Sequence, residues 1–168
     1  MTEHTMTAFQ RVRVTVNGER QTMDVEPRVS LADALRDEAG LLGIKLGCEH
    51  GVCGACTVLV DGAPVRSCLA LAVRLDGRQV ETVEGLASGP ALSRLQDAFR
   101  RHHALQCGFC TAGFLMIATG LLQENPHPSR EEVVDAIGGN ICRCTGYHNI
   151  VDAILDASAS TNGKVPSA

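Results

Sequence analysis

The chain has 168 residues, 45% of them apolar, and a formal net charge of −4 at pH 7. This composition allows a packed core and argues against disorder throughout the chain. The near-balanced charge and the few aromatic residues (one Tyr, four Phe and no Trp) argue against nucleic-acid binding, which needs a basic surface and usually stacking rings.

The first half of the chain predicts a small mixed sheet with one helix across it. Valines alternate with polar residues over 12–16, and Asn17-Gly18 then predicts a tight hairpin turn. Ser30, with the acidic Asp33 three residues later, is a candidate N-cap for the helix. The other predicted strands cover 22–25, 57–60, the residues from 65 onward and 80–83.

The second half predicts four short helices, which suggest a small bundle. The stretch 113–122 is apolar nearly all round, so it predicts a buried helix that ends before Pro126. Ser129 and Glu132 form a capping-box sequence for the next helix. The apolar faces of the other three helices are expected at Leu92, Leu95, Ala98 and Phe99, at Val133, Val134 and Ile137, and at Ile150, Val151, Ile154 and Leu155.

The two halves meet in a segment of small residues with Gly and Pro, at 84–90. The sequence therefore predicts an α+β chain with two domains. The first covers 9–84, the helical second covers 90–158, and a loose tail follows at 159–168.

Eight cysteines are the most informative feature of the composition. The longest apolar stretch is far below the roughly 20 residues of a spanning helix, and the N-terminus lacks the basic start and apolar run of a secretory signal. We therefore expect a cytoplasmic chain that contacts no membrane. Disulfides are rare there, so the cysteines indicate metal or redox chemistry rather than four disulfide staples.

The first cysteine set has the spacing of a plant-type 2Fe–2S site: Cys48-x4-Cys53-x2-Cys56, then eleven residues, then Cys68. Three ligands on one short loop can wrap a small cluster, and the returning hairpin strand is expected to supply the fourth. Interleaved glycines let the backbone turn tightly and bring amide N–H groups to the sulfurs. Zinc is the alternative, but this set contains one Cys-x2-Cys knuckle rather than two.

The second cysteine set is ambiguous by spacing. Cys107-x2-Cys110 precedes the predicted buried helix, and Cys142-x-Cys144 lies between the last two helices. Residues two apart do not share a helix face, so the Cys-x-Cys pair predicts a loop. A zinc ion and an iron–sulfur cluster fit this spacing about equally well. The neighbouring first site favours a cluster, because electrons can hop between two clusters.

Four segments carry a family resemblance: GCEHGVCGACTVLVDG at 47–62, RSCLALAV at 66–73, LQCGFCTAGFLM at 105–116 and GGNICRCTGYHNIVDAI at 138–154. In this order they resemble the iron–sulfur subunit, or the N-terminal iron–sulfur region, of the xanthine oxidase family of molybdenum hydroxylases. The resemblance covers 9–157. Ala112 departs from the Pro usual in the family, a change that should cost little at a first helical turn.

The resemblance implies a plant-type ferredoxin-like β-grasp domain followed by a four-helix-bundle 2Fe–2S domain. The ligands that it implies for a distal cluster, near the flavin, are Cys48, Cys53, Cys56 and Cys68. Those that it implies for a proximal cluster, near the molybdenum–pterin cofactor, are Cys107, Cys110, Cys142 and Cys144. Gln106 and Cys144 match the family positions that lie beside the pterin.

The resemblance also implies a function. Enzymes of this family hydroxylate a substrate with water as oxygen source, and the electrons pass singly from molybdenum through the two clusters to FAD. This chain would be the electron-transfer subunit of such an oxidoreductase and would carry no catalytic residue itself. Its implied partners are a large molybdenum-cofactor subunit and a medium FAD subunit, as a heterotrimer or a dimer of heterotrimers.

Two other functions stay open at this stage. A free-standing ferredoxin normally needs only the first site, so the helical half argues against that function. A zinc-bound structural protein would be colourless, whereas clusters absorb visible light. The substrate of the complex is determined outside this chain, and the look of the motifs favours an N-heteroaromatic compound only weakly.

Overall fold

The computed structural model of the protein describes residues 9–87, 89 and 91–159. Strands β1 (Gln10–Val16) and β2 (Glu19–Val25) form an antiparallel hairpin. Its turn places Asn17 and Gly18 at φ values of 50° and 83°. Positive φ at both central residues is what a type I′ turn requires, and Asn-Gly adopts it readily. The predicted hairpin is confirmed.

A five-stranded mixed sheet forms the first half, with strand order β2-β1-β5-β3-β4. Only β1 and β5 pair in parallel among the strands of this sheet. Helix α1 packs its buried apolar residues into the core below the sheet. The bounds of these elements are α1 (Leu31–Asp37), β3 (Thr57–Val60), β4 (Ala63–Arg66) and β5 (Gln79–Glu81).

The start of α1 agrees with the prediction. The backbone N–H of Asp33 donates to Ser30 Oγ at 3.1 Å, which satisfies one of the free donors of the first turn. The Ser30 hydroxyl in turn donates to the Asp33 carboxylate at 2.6 Å. The strand predicted from residue 65 onward is shorter than expected, since β4 ends at Arg66.

Four helices form the second half and enclose a core of their own. Capping boxes at Ser93 with Gln96 and at Ser129 with Glu132 begin the first and third of them. Two apolar residues assigned to helix faces are half exposed instead: Leu92, which precedes the first helix, and Val134. The bounds are α2 (Arg94–Arg101), α3 (Thr111–Glu124), α4 (Arg130–Ile137) and α5 (His148–Ala159).

The ends of the helical half differ in detail from the prediction. Helix α5 extends at both ends beyond its predicted apolar face at 150–155, so the expected tail at 159–168 starts inside it, and 160–168 lie outside the described residues. Val83–Leu86, at the start of the segment expected to link the halves, form a 3-10 helix. The domain limits at 84 and 90 stay predictions. Every helix among the described residues is too short or too polar to cross a membrane.

Helix α3 joins the two halves by packing against β3 and the first cysteine loop. A Cβ on Gly120 would lie 2.8 Å from Pro64 Cγ, and one on Gly113 would lie 2.3 Å from the carbonyl oxygen of Gly54. Glycine at these two positions lets the helix backbone approach the sheet closely. This close packing brings both cysteine sets to the junction between the halves.

Candidate metal centres

The first cysteine set gathers around one loop and one turn. Cys48, Cys53 and Cys56 lie in the loop between α1 and β3, and the backbone N–H of Cys53 donates to Cys48 Sγ at 3.4 Å. Cys68 reaches the same place from beyond β4, and its thiol interacts with that of Cys56.

Cys68 lies in a turn rather than on the strand expected to carry it. The Ser67 hydroxyl donates to the carbonyl oxygen of Cys56 at 2.6 Å, and the N–H of Leu69 donates to the carbonyl of Arg66 at 3.0 Å. The Leu69–Arg66 bond closes a turn just beyond β4, and the Ser67 bond ties this turn to Cys56 in the loop.

Left-handed backbone conformations shape the first loop. Glu49, Gly51 and Gly54 have φ values of 56°, 86° and 73°. Such values suit glycine, which explains why glycine stands at 51 and 54. Nothing in the sequence indicated the positive φ of Glu49. Gly47 serves a different purpose, because a Cβ there would lie 3.2 Å from both Cys53 Sγ and the Phe109 ring.

The pKa values of Cys48 and Cys68 in the first site are shifted in opposite directions. Backbone N–H groups, first that of Cys53 and then that of His50, lower the pKa of Cys48 to about 6. Burial, followed by the thiol of Cys56, raises the pKa of Cys68 to about 11. The loop therefore stabilises a thiolate at Cys48, the form that binds metal, while Cys68 needs a nearby cation to ionise.

The second cysteine set comes from two loops that face each other. Cys110 is the N-cap residue of α3, with Cys107 just before it, while Cys142 and Cys144 lie in the loop between α4 and α5, as predicted. Cys110 interacts with Cys142, and the sulfurs of Cys107 and Cys144 lie 3.6 Å apart. Cys107 and Cys144 are exposed, whereas Cys142 is buried.

Burial and hydrogen bonding compete within the second site. Burial raises the pKa of Cys110 to about 12. Burial also acts to raise the pKa of Cys142, but hydrogen bonds from the hydroxyl and backbone N–H of Thr145, from the backbone N–H of Cys144 and from the thiol of Cys110 together outweigh it, and the net pKa is lowered. A hydrogen bond with Cys107 raises the pKa of Cys144. The spacing of the cysteines did not indicate that Thr145 would bond to Cys142.

Gln106 lies next to the exposed edge of the second site. Its side-chain Nε2 donates to the backbone carbonyl of Cys144 at 3.1 Å. Both residues are exposed. The structure thus brings together the two residues that the resemblance placed beside the pterin.

Three contacts hold the two cysteine loops against each other. The N–H of Ile141 donates to the carbonyl of Cys53 at 2.9 Å. The guanidinium of Arg66 donates to the carbonyl of Gly139 at 2.9 Å and to Thr57 Oγ1 at 2.6 Å. The third contact is the side chain of Asn140, which packs on Gly54. Nothing in the sequence indicated the contacts of Arg66 and Asn140, because neither residue belongs to a ligand pattern.

Pairs of sulfurs are the common feature of the two cysteine sets. No group of three or more His, Cys, Asp or Glu side chains within the described ranges is arranged to hold one metal ion. The thiols instead meet in pairs and all eight are free. A 2Fe–2S cluster has two irons that each take two thiolates, so two pairs per site match its needs. The pairs are Cys48 with Cys53, Cys56 with Cys68, Cys110 with Cys142, and Cys107 with Cys144.

Comparisons with known proteins agree with this donor chemistry. A 2Fe-2S iron-sulfur cluster binding domain matches residues 14–87, and a [2Fe-2S] binding domain matches 82–155. The nicotine 6-hydroxylase small subunit of Paenarthrobacter nicotinovorans is 63% identical over 153 residues, which cover 91% of this chain and 92% of that relative. The chain is an iron–sulfur small subunit of the xanthine oxidase family of molybdenum hydroxylases.

Other relatives of this small subunit agree with the assignment. The solved quinoline 2-oxidoreductase from Pseudomonas putida 86 matches with a TM-score of 0.88 and 58% identity, over 94% of this chain and 99% of that chain. The aldehyde oxidoreductase of Megalodesulfovibrio gigas is 48% identical over 91% of this chain but only 17% of its own length. The small subunit therefore corresponds to a portion of a longer chain in that relative.

The family settles the function at a coarse level. The small subunit transfers electrons within an oxidoreductase and carries iron–sulfur clusters of the 2Fe–2S type. It works as one component of a multi-subunit molybdenum-containing complex. The predicted α+β fold, with a ferredoxin-like domain and a helical 2Fe–2S domain, is confirmed.

Proposed function

We propose that the eight cysteines hold two 2Fe–2S clusters as the ligand sets implied by the family. One cluster takes Cys48, Cys53, Cys56 and Cys68, and the other takes Cys107, Cys110, Cys142 and Cys144. The pairing of the thiols supports this assignment, since each pair supplies the two protein ligands of one iron. Residues 9–84 and 90–158 are the corresponding domains.

The second cluster receives electrons first in this proposal. Its exposed sulfurs, Cys107 and Cys144, and the adjacent Gln106 lie on the outer edge of the helical half. A molybdenum–pterin cofactor in a large partner subunit supplies the oxidation of substrate, and these residues are the ones that would face it. The first cluster then passes electrons to FAD in a medium subunit.

The observation that carries this route is the direct bond between the two cysteine loops. The carbonyl of Cys53 accepts from the N–H of Ile141, and Ile141 is the residue before Cys142. One hydrogen bond and a short stretch of backbone therefore join a ligand of the first cluster to a ligand of the second. A zinc-binding structural protein would have no use for such a connection.

The partners complete the proposal. Large and medium subunits would assemble with this chain as a heterotrimer or a dimer of heterotrimers in the cytoplasm, where thiols stay reduced for cluster assembly. The names of three relatives contain nicotine, caffeine and quinoline. These are N-heteroaromatic compounds, so we propose a substrate of that class, bound by the large subunit.

Purification of the tagged chain from its native host tests this function. We expect two larger chains to co-purify, with FAD and about four irons per molybdenum, because each 2Fe–2S cluster has two irons. EPR of the reduced complex should resolve two different cluster signals. A chain that comes alone with iron and without molybdenum would be a free-standing carrier, and the partner assignment would then be wrong.

A further inference from the structure

A threonine hydroxyl lies against one sulfur of the second site. Thr145 Oγ1 donates to Cys142 Sγ at 3.1 Å, and the backbone N–H of Thr145 lies 3.4 Å from the same sulfur. Cys142 is buried and Thr145 is partly buried, so water competes little for this bond. Cys142 thus accepts one side-chain and one backbone hydrogen bond from a single residue.

Tyr147 donates to the Thr145 hydroxyl oxygen and so leaves its hydrogen available for the sulfur. The N–H of Tyr147 donates to Thr145 Oγ1 at 3.3 Å, which leaves the hydroxyl hydrogen free to turn toward the sulfur. The phenol oxygen of Tyr147 accepts from the N–H of Cys142 at 2.9 Å. Its ring meets Phe114 edge to face, with centroids 6.1 Å apart. Cys142, Thr145 and Tyr147 therefore form a closed set of hydrogen bonds, and the contact with Phe114 anchors it in the helical core.

The left-handed backbone of Tyr147 supports the same interpretation. Its φ is 70°, a left-handed conformation that is unfavourable for a residue with a Cβ. Gly146 beside it also has a positive φ, of 68°. The bonds of Tyr147 to Cys142 and Thr145 hold this turn in place.

The first site differs in its hydrogen-bond donors. Its Cys48 sulfur accepts from the backbone N–H of Cys53 at 3.4 Å, and the other donors that act to lower the pKa of Cys48 or Cys68 are chiefly backbone N–H groups. Backbone donors are independent of side-chain identity, whereas the Thr145 hydroxyl is present only because this residue is threonine. The second site therefore has a donor that a single substitution can remove.

We propose that Thr145 is a positioning residue that raises the reduction potential of the second cluster through its hydrogen bond to the Cys142 thiolate. This inference rests on the proposed function, in which Cys142 is a cluster ligand. A reduced cluster carries one more negative charge than an oxidised one. A donor aimed at a ligand sulfur stabilises that added charge, so the bond favours reduction.

The consequence concerns the first electron-transfer step. In the proposed route the second cluster accepts electrons from the molybdenum side and delivers them to the first cluster. A higher potential at the second cluster makes it a better acceptor. Loss of the Thr145 hydroxyl would leave this cluster more oxidised at a given ambient potential, and the first cluster would be unaffected.

Thr145→Val in the purified complex tests the proposal, because valine keeps the branched shape and loses only the hydroxyl. Redox titration followed by EPR measures both clusters in the same sample. We expect the reduction equilibrium of the second cluster to shift about tenfold toward the oxidised form, which is about 59 mV for one electron. The first cluster is the internal reference and should keep its potential. Thr145→Ser retains a hydroxyl and should restore the native potential.

The outcomes separate this inference from the proposed function. Two clusters with an unchanged second potential in Thr145→Val would overturn the role of Thr145 and leave the cluster assignment standing. A native complex with no second cluster would overturn both.

A second measurement covers the case in which Thr145→Val does not assemble the second cluster. Proton ENDOR of the native complex, compared between H2O and D2O, needs no variant and should show a rapidly exchanging proton coupled to the second cluster, because the Thr145 hydroxyl lies 3.1 Å from Cys142 Sγ. A second cluster without a rapidly exchanging coupled proton would overturn the proposal.

Discussion

Asn140 packs its side-chain amide directly on Gly54, across the junction between the two halves of the small subunit. A Cβ on Gly54 would lie 2.1 Å from Asn140 Oδ1 and 3.0 Å from its Cα. Asn140 is 2% exposed, and neither polar atom of its amide has a hydrogen-bond partner in the described part of the chain. The contact therefore depends on shape, and on the missing side chain of Gly54 in particular.

Gly54→Ala should damage the first cluster site. The added methyl group meets Asn140, and the φ of 73° costs a further ~1–2 kcal/mol for alanine. We expect a lower thermal midpoint of the complex and loss of about half of the iron. Gly77→Ala is the matched control, because Gly77 has a similar φ of 77° and nothing within 4 Å of its added Cβ. Equal effects of the two substitutions would contradict a steric role of Asn140.

Arg66→Ala should loosen the junction between the cluster domains. The guanidinium joins Thr57 Oγ1 in the sheet to the carbonyl of Gly139 before the second cysteine loop. Its loss should cost about 1–3 kcal/mol of stability. It should also alter the magnetic coupling between the reduced clusters, which EPR reports.

Arg78→Ala is the control for this effect. Arg78 pairs with Asp61 within the first domain and is well exposed, so its loss should cost less than about 1 kcal/mol and leave the coupling unchanged. An unchanged coupling in Arg66→Ala as well would show that this side chain does not set the cluster geometry.

Serine substitution of one ligand in each set should remove one cluster at a time. Cys68→Ser should lower the iron content from about four to about two per chain and abolish the EPR signal of the first cluster only. Cys144→Ser should do the same to the second cluster. Each variant serves as the control for the other. Loss of both signals in either variant would mean that the sites assemble as one unit.

Tyr147→Phe should weaken the second cysteine loop without removing its aromatic packing. The N–H of Cys142 would lose its acceptor at 2.9 Å, which should cost about 1–3 kcal/mol, while the edge contact with Phe114 remains. Thermal unfolding of the complex and the rate of iron release to a chelator measure the effect. Tyr147→Leu removes both contacts and should release iron faster. Iron release from Tyr147→Phe at the native rate would contradict the role given to the phenol oxygen.

The Asp156 carboxylate should stabilise the packing of α2 on α5 at neutral pH and lose this effect in acid. Its pKa is lowered, first by the hydrogen bond from His102 and then by Arg101, against the opposing effect of burial. A carboxyl whose folded pKa is depressed stabilises the fold above its unfolded pKa of about 3.9. That contribution is lost as the pH falls through the folded value.

Asp156→Asn should therefore lower the thermal midpoint at pH 7, and this effect should shrink as the pH falls below about 3.9. Asp24→Asn is a control at an exposed pair with Arg11, where solvent screening should make the change smaller. A destabilisation by Asp156→Asn that is independent of pH would show that packing rather than charge explains the effect.

Local chemistry could be predicted from the sequence because its causes lie within a few residues. Asn17-Gly18 adopts the turn that its backbone preferences favour, and Ser129 with Glu132 caps α4 through bonds that span three residues. The spacing of Cys48, Cys53 and Cys56 likewise indicates a cluster loop, since one short segment carries three donors. Such features need no knowledge of the rest of the fold.

Predictions that depended on distant neighbours were the weaker ones. Val134 has helical spacing, but no element among the described residues covers it and it stays half exposed. Cys68 was expected on a strand, yet it lies in a turn that Ser67 ties to Cys56, eleven residues away in sequence. Sequence periodicity gives the face of an element but does not reveal what lies opposite it.

The sequence by itself determined the family, the two-part fold and the eight candidate ligands, because each follows from local spacing and its order along the chain. Only the tertiary structure decided how the thiols pair, that Thr145 donates to Cys142, and that Cys53 bonds to Ile141 across the junction. Contacts between the two halves depend on backbone positions that close packing at Gly54 and Gly113 defines. No spacing within one segment can encode such positions, since they arise where loops from the two halves meet.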